Sequence, residues 1–115
     1  MKRVMVRYRV RPDCVEENER YIGRVFEQLE RDRPAGLRYA SFKLDDRVTF
    51  VHLVSIDAPD GVNPLGALPA FKAFTSSVEA RCDQRPVVAQ LSEVGSYRFF
   101  GAFDTHSGDR EGSGV

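Results

Sequence analysis

The stretch RVTFVHLVSI, residues 47 to 56, carries apolar side chains on both faces of one short extended segment. Val48, Phe50, Val54 and Ile56 alternate onto one side together with His52, and Val51 and Leu53 point to the other. A strand covered on one side only alternates apolar with polar, so this one is expected to be covered on both. Helices of the same chain can supply one cover. Few of the 115 residues remain to supply the second, and a partner subunit is the expected layer there.

Working outward, Val4, Val6, Tyr8 and Val10 alternate with Met5, Arg7 and Arg9 in a first strand that Pro12 ends. Asp13, with Glu16 three residues on, reads as the N-cap of a helix whose apolar stripe is Ile22, Val25, Phe26 and Leu29. Asn18 is assigned to the exposed face of that helix. Pro34-Ala35-Gly36 stops it. Residues 37–44 and 48–56 flank Asp45-Asp46 as a hairpin. Residues 63–68 read as an irregular, 3₁₀-like approach, and Pro69 suits the first turn of a second helix carrying Phe71, Phe74, Val78 and Cys82. Gln84-Arg85-Pro86 is expected to end that helix, and residues 87–100 to form the last strand.

The order β-α-β-β-α-β predicts an α+β, ferredoxin-like domain: a four-stranded antiparallel sheet with both helices on one face. It is placed at residues 1–103, with 104–115, rich in Gly, Ser and charge, expected to be a disordered tail. The bare face would carry Val51 and Leu53 beside Met5, Arg7 and Arg9. That surface is too apolar to be simply solvated, and it is expected to pair with a second copy.

Lys plus Arg and Asp plus Glu number 17 each, so no global charge calls for nucleic acid or an anionic membrane. No apolar run approaches the roughly 20 residues of a membrane span, and Met1-Lys2-Arg3 leads into a strand rather than a signal peptide, so a cytoplasmic location is expected. Cys14 and Cys82 are read as free thiols at the ends of two roughly parallel helices, too far apart to bridge. The same element order occurs in RNA-recognition motifs, which bind RNA on the bare face. Aligned on Phe50-Val51, however, residues 46–53 lack the glycine and the stacking aromatics, and no nucleic-acid partner is expected. No Gly-rich phosphate loop, HExxH, GxSxG or paired-Cys motif is present.

The opening VMVRYRVRPDCVEENERYIGRVF, the hairpin RYASFKLDDRVTFVHLVSI, and NPLGALPAFKAFTSSVEARCDQRPVV followed by EVGSYRFF together resemble the antibiotic biosynthesis monooxygenase (ABM)-like domains of the dimeric α/β-barrel superfamily. The resemblance covers about residues 1 to 100. It implies a homodimer joined through the open sheet faces, with a pocket between sheet and helices in each subunit. It also implies a cofactor-independent monooxygenase acting on a small aromatic or quinone-type molecule, with no metal and no flavin. A non-catalytic dimeric binding or stress-response module is the alternative. The chain has no Trp, and the second helix offers Lys72, Ala73 and Phe74 where many such sequences carry His.

Within that frame His52 is the candidate base or hydrogen-bond donor, against the plainer role of a core histidine bonded to a neighbour. Tyr8 is expected to point toward the helices beside it, so His52 and Tyr8 form the candidate catalytic pair. Phe71, Phe74 and Tyr39 are the candidate substrate-binding residues, against the plainer role of ordinary core. Arg7 and Arg9 are expected to pair with Glu93 on the last strand or with carboxylates across the dimer.

Overall fold

The computed structural model describes residues 1–99. Six elements follow in order: β1 (Lys2–Val10), α1 (Val15–Asp32), β2 (Leu37–Lys43), β3 (Thr49–Ile56), α2 (Pro69–Arg81) and β4 (Cys82–Leu91). The strands make one antiparallel sheet in the order β2-β3-β1-β4. This is the ferredoxin-like α+β arrangement expected from the sequence. The expectation for residues 104–115 lies outside the described residues.

Strand register divides the sheet into two unlike faces. Val4 pairs with Val54, Val6 with His52 and Tyr8 with Phe50, and Tyr39 and Ser41 on β2 lie opposite Val54 and His52. These residues meet the helices. Tyr8, Val10, Phe50, Val54 and Ile56 are buried with Val25 of α1 and Phe74 and Val78 of α2. On the opposite face one cross-strand row runs Ala40, Leu53, Met5, Ala89, and the next Phe42, Val51, Arg7, Val87. Phe42 is 47% and Val87 66% exposed in the single chain. Such rows bury well only against another surface.

Several local expectations are corrected. A 3₁₀ turn at Pro12–Cys14 precedes α1, so Cys14 rather than Asp13 stands at the N-cap, and no side chain caps the helix. Pro12 starts that turn because its fixed φ suits a first helical position, which takes up Asp13 before the α-helix begins. α2 stops at Arg81, and β4 starts at Cys82 and ends at Leu91, displaced toward the N-terminus from 87–100. Pro86 misleads because it sits inside a strand. β4 is an edge strand, and its register against β1 shifts between the pairs Arg7–Val87 and Arg9–Gln84, so a residue without N–H is tolerated there.

All-antiparallel pairing also makes the two helices run in opposite directions. The start of α1 and the end of α2 therefore share one end of the domain, where Arg11 N donates to Arg81 O at 2.9 Å and Val10 pairs with Cys82. Cys14 and Cys82 are free thiols, as expected, but they do not lie a helix length apart. Arg9 pairs with Asp83 at 2.8 Å, and Glu93, beyond β4, is held by Arg3 rather than by Arg7 or Arg9.

The turn from α1 into β2 depends on Gly36. Its φ is +75°, its carbonyl accepts from Asp57 N at 2.7 Å, and a Cβ added there would lie 2.5 Å from the Asp57 carbonyl oxygen. Gly61 has a similar φ of +71° with open space around it. Gly61→Ala is therefore expected to cost only backbone strain, about 1 kcal/mol, and Gly36→Ala clearly more, because the β2–β3 end must also move. Urea denaturation of both variants checks this; equal losses would show that the close approach at Gly36 carries no weight.

Candidate functional site

The cavity that matters lies between the helix-facing side of the sheet and α2, with a volume of about 310 Å³. Val4, Val6, Val54 and Ile56 form its floor. Phe71, Phe74 and Val78 form its roof, and Leu65 and Asn63 close the side where a 3₁₀ turn leads into α2. Asn63 holds that turn by accepting from Leu65 N at 3.0 Å. The size and the mostly apolar lining are those of a small-molecule pocket near the lower end of the usual range.

All five residues selected from the sequence border this cavity: Tyr8, Tyr39, His52, Phe71 and Phe74. Strand pairing brings the first three together. His52 is 3% exposed, with its Nε2 2.8 Å from the Tyr8 hydroxyl. Its Nδ1 lies 2.7 Å from the Tyr39 hydroxyl and 2.8 Å from Ser41 Oγ. The rings of Tyr8 and Tyr39 stack on the imidazole, with centroids 5.3 and 5.8 Å away, and Phe74 tilts against it at 5.4 Å. Phe71 meets Tyr39 edge-on at 6.4 Å. One wall is thus a continuous aromatic surface with a single polar end.

Two residues that were not selected complete the polar end. Asn18 is 0% exposed, and its Nδ2 donates to the Tyr8 oxygen at 2.9 Å, which corrects its assignment to a solvated helix face. Arg81 is 3% exposed; its Nε donates to Asn18 Oδ1 at 3.0 Å and its Nη1 to Ser77 Oγ at 2.8 Å. The guanidinium lies over the Tyr21 ring at 4.3 Å and near Phe74 at 5.6 Å. The sequence did hold a signal for both. Asn18 precedes Ile22 by four and Val25 by seven, and Arg81 follows Val78 by three and Phe74 by seven, so each continues an apolar stripe. A polar residue on such a stripe must find a partner inside.

Burial sets the protonation states. It pushes the His52 imidazolium down to about 4, so the ring is neutral at physiological pH. It pushes the Tyr39 phenol up to about 12 and raises Tyr8 further, despite the Asn18 hydrogen bond that works in the other direction. Among the described residues no group of three His, Cys, Asp or Glu is placed to hold a metal ion, and no helix is long and apolar enough to cross a membrane.

No protein-family model and no curated protein matches the chain. Solved structures do. An antibiotic biosynthesis monooxygenase superposes with a TM-score of 0.69 at 18% identity, over 83% of this chain and 100% of the other. Rv0793 from Mycobacterium tuberculosis gives 0.67 at 15% identity, over 83% and 96%. SnoaB, a cofactor-independent oxygenase from Streptomyces nogalater, gives 0.63 at 15% identity, over 84% and 96%. At these identities the likeness is one of architecture, and it spans nearly the whole of each of these structures. The chain has the fold of the antibiotic biosynthesis monooxygenases.

Proposed function

We propose that the chain is a homodimeric, cytoplasmic, cofactor-independent monooxygenase-like protein that holds a small aromatic or quinone-type molecule in the cavity beneath α2. The observation that carries this reading is the aromatic pocket whose one polar end is the His52–Tyr8 pair. Phe71, Phe74 and Tyr39 would grip the ring system, and His52 and Tyr8 would set the position of its oxygen. Oxygenation without a cofactor needs little more from a protein: the substrate anion itself reduces O₂, a C–O bond forms, and loss of water leaves a carbonyl. The balance is one CH₂ plus O₂ giving C=O plus H₂O. The fold alone does not supply such chemistry, and the proposal rests on the site.

Because the imidazole is neutral and fully engaged, its part is to hydrogen-bond and polarise, not to carry charge. The same saturation supports the second reading, a binding module of the same fold, since both ring nitrogens already have protein partners. Oxygen uptake with dihydroxynaphthalenes and anthrones separates the two. Uptake above a heat-killed control supports the oxygenase, whereas silence with ligands that still bind supports the module.

The bare sheet face supports the dimer. Phe42, Val51, Val87, Leu53 and Met5, with Arg7 among them, form a largely apolar surface that a second copy can cover by apposition of the same rows. Leu53→Glu is expected to convert a dimer into monomers at micromolar concentration in sedimentation velocity. A wild-type chain that already runs as a monomer would remove the dimer from the proposal.

His52→Ala is expected to lower turnover, or tight binding where no turnover is found, by at least about 100-fold. Unchanged kinetics in a folded variant would take His52 out of the site. Stability gives an independent reading. The His52 pKa is depressed in the folded state, so the unfolded chain binds more protons between its ordinary value of 6.5 and about 4. Stability should fall as pH drops through that window, by about 3 kcal/mol in all. The two raised tyrosines give the opposite limb, with stability falling above pH 10. Urea denaturation at pH 4.5 and 7.5 should show the acid loss in the wild type and much less of it in His52→Gln. An equal loss in both would place its origin elsewhere.

A further inference from the structure

His52 is 3% exposed, yet a hydrogen-bonded path leads from it to a second opening that the proposed function leaves unused. β2 supplies the link. Ser41 is half-buried, with its Oγ 2.8 Å from His52 Nδ1, and it borders a cleft of about 170 Å³ between α1 and β2. Ile22, Phe42 and Phe50 give the cleft apolar walls, and the exposed Glu19, paired with Lys43 at 2.6 Å, gives it a charged edge. A water takes about 30 Å³ in the liquid, so the cleft has room for several beside the serine. Ser41 does not border the aromatic cavity, and the two spaces lie under different helices.

Hydrogen-bond direction along the path is set from its far end. The Arg81 guanidinium can only donate, and its Nε bonds to Asn18 Oδ1, so the Asn18 amide presents its NH₂ to the Tyr8 oxygen at 2.9 Å. Tyr8, 2% exposed, then has one hydrogen to place and finds His52 Nε2 at 2.8 Å. Nε2 is therefore the lone-pair nitrogen, and the ring hydrogen sits on Nδ1, toward the Ser41 and Tyr39 oxygens. The opposite tautomer would leave the buried Tyr8 hydrogen without a partner, whereas the hydroxyls of Ser41 and Tyr39 belong to half-buried residues. Tyr39 also borders a wider cleft at the end of α1, but there Phe26 stacks on its ring while the hydroxyl turns in to His52.

We infer that Ser41 and the cleft behind it are a proton outlet for the site, carrying protons between the aromatic cavity and water on the α1 side by way of Tyr8 and His52. Its use in catalysis rests on the reading of that cavity as a ligand site, but the route itself belongs to the empty protein as well. In one outward passage a ligand hydroxyl gives its hydrogen to the free lone pair of the Tyr8 oxygen, and Tyr8 gives its own to His52 Nε2. Nδ1 releases its hydrogen to Ser41 Oγ, and Ser41 releases its own to a water in the cleft. The ligand has lost one proton and the water has gained it. Tyr8 and Ser41 each lose one hydrogen and gain one, and the imidazole exchanges one tautomer for the other without becoming a cation. That suits a ring from which burial excludes positive charge. Ser41 touches no ligand and acts only through His52.

The test follows the His52 ring hydrogen by NMR in the unliganded protein carrying isotopically labelled nitrogen. The ring nitrogen shifts are expected to show Nδ1 protonated and Nε2 bare. The hydrogen should exchange with water faster than the backbone amides of β3, whose exchange needs the strand to open. Ser41→Ala should slow the ring exchange by at least about tenfold, toward the rate of strand opening. Ser41→Thr keeps the hydroxyl and should restore it, and Tyr39→Phe should leave it at the wild-type rate. Ile22→Trp, which fills the cleft, should slow it as Ser41→Ala does, and Ser41→Ala alone decides if that variant does not fold. A ring hydrogen found on Nε2, wild-type exchange no faster than the amides, undisturbed exchange in Ser41→Ala, or a slowing confined to Tyr39→Phe overturns the outlet. Aromatic ligands play no part in these rates, so a cavity that binds none sinks the proposed function without altering this result.

Discussion

Burying a polar side chain costs free energy unless its hydrogen-bonding groups are matched, and this domain strings five together, four of them buried and the fifth, Ser41, half-buried. Arg81, Asn18, Tyr8, His52 and Ser41 come from α2, α1, β1, β3 and β2 respectively, and each bonds to the next at 2.8–3.0 Å. The chain of contacts therefore crosses every layer of the fold. Sliding either helix by a turn, or slipping β1 against β3 by one residue, would orphan a buried donor or acceptor at a cost of about 1–3 kcal/mol. Apolar packing at Val25, Val78 and Phe50 draws the layers together, and the polar chain selects one alignment among those that packing alone would allow.

The same chain explains why the site sits where it does. His52 lies mid-strand in β3, flanked by Phe50 and Val54 on the helix-facing side, where water is excluded. Exclusion keeps its ring neutral and both neighbouring phenols protonated, so the site holds hydrogen-bond direction rather than net ionisation. The cavity beside it is mostly apolar, which strengthens any electrostatic interaction at its polar end.

The likeness to solved oxygenases places the chain in an architecture known to host cofactor-independent chemistry, as the SnoaB structure illustrates. Identity near 15–18% carries the backbone and not the site. The two faces of the sheet divide the work of the fold here. One carries the cavity, and the other carries the largely apolar rows through Leu53 and Val51 that the helices leave uncovered.

Alternation in β1 and β3, the spacing of Ile22, Val25 and Leu29, and the turn residues around Asp45-Asp46 were enough to read the element order and both faces of the sheet, because such periodicities are local. The same alternation placed His52 and Tyr8 on one face, and the aromatic spacing in α2 placed Phe71 and Phe74 above them. Boundaries failed where local rules admit exceptions: Pro86 is tolerated at an edge-strand irregularity, and Pro12 opens a 3₁₀ turn before the helix. Asn18 and Arg81 lay on legible stripes, but a stripe does not say which partner a polar residue finds. Their meeting depends on two helices running in opposite directions across the same strands, with the Tyr8 hydroxyl reaching between them. Only the tertiary structure decides that, since it is packing between residues 63 positions apart, and not the character of either one, that turns an asparagine and an arginine into a single hydrogen-bonded line.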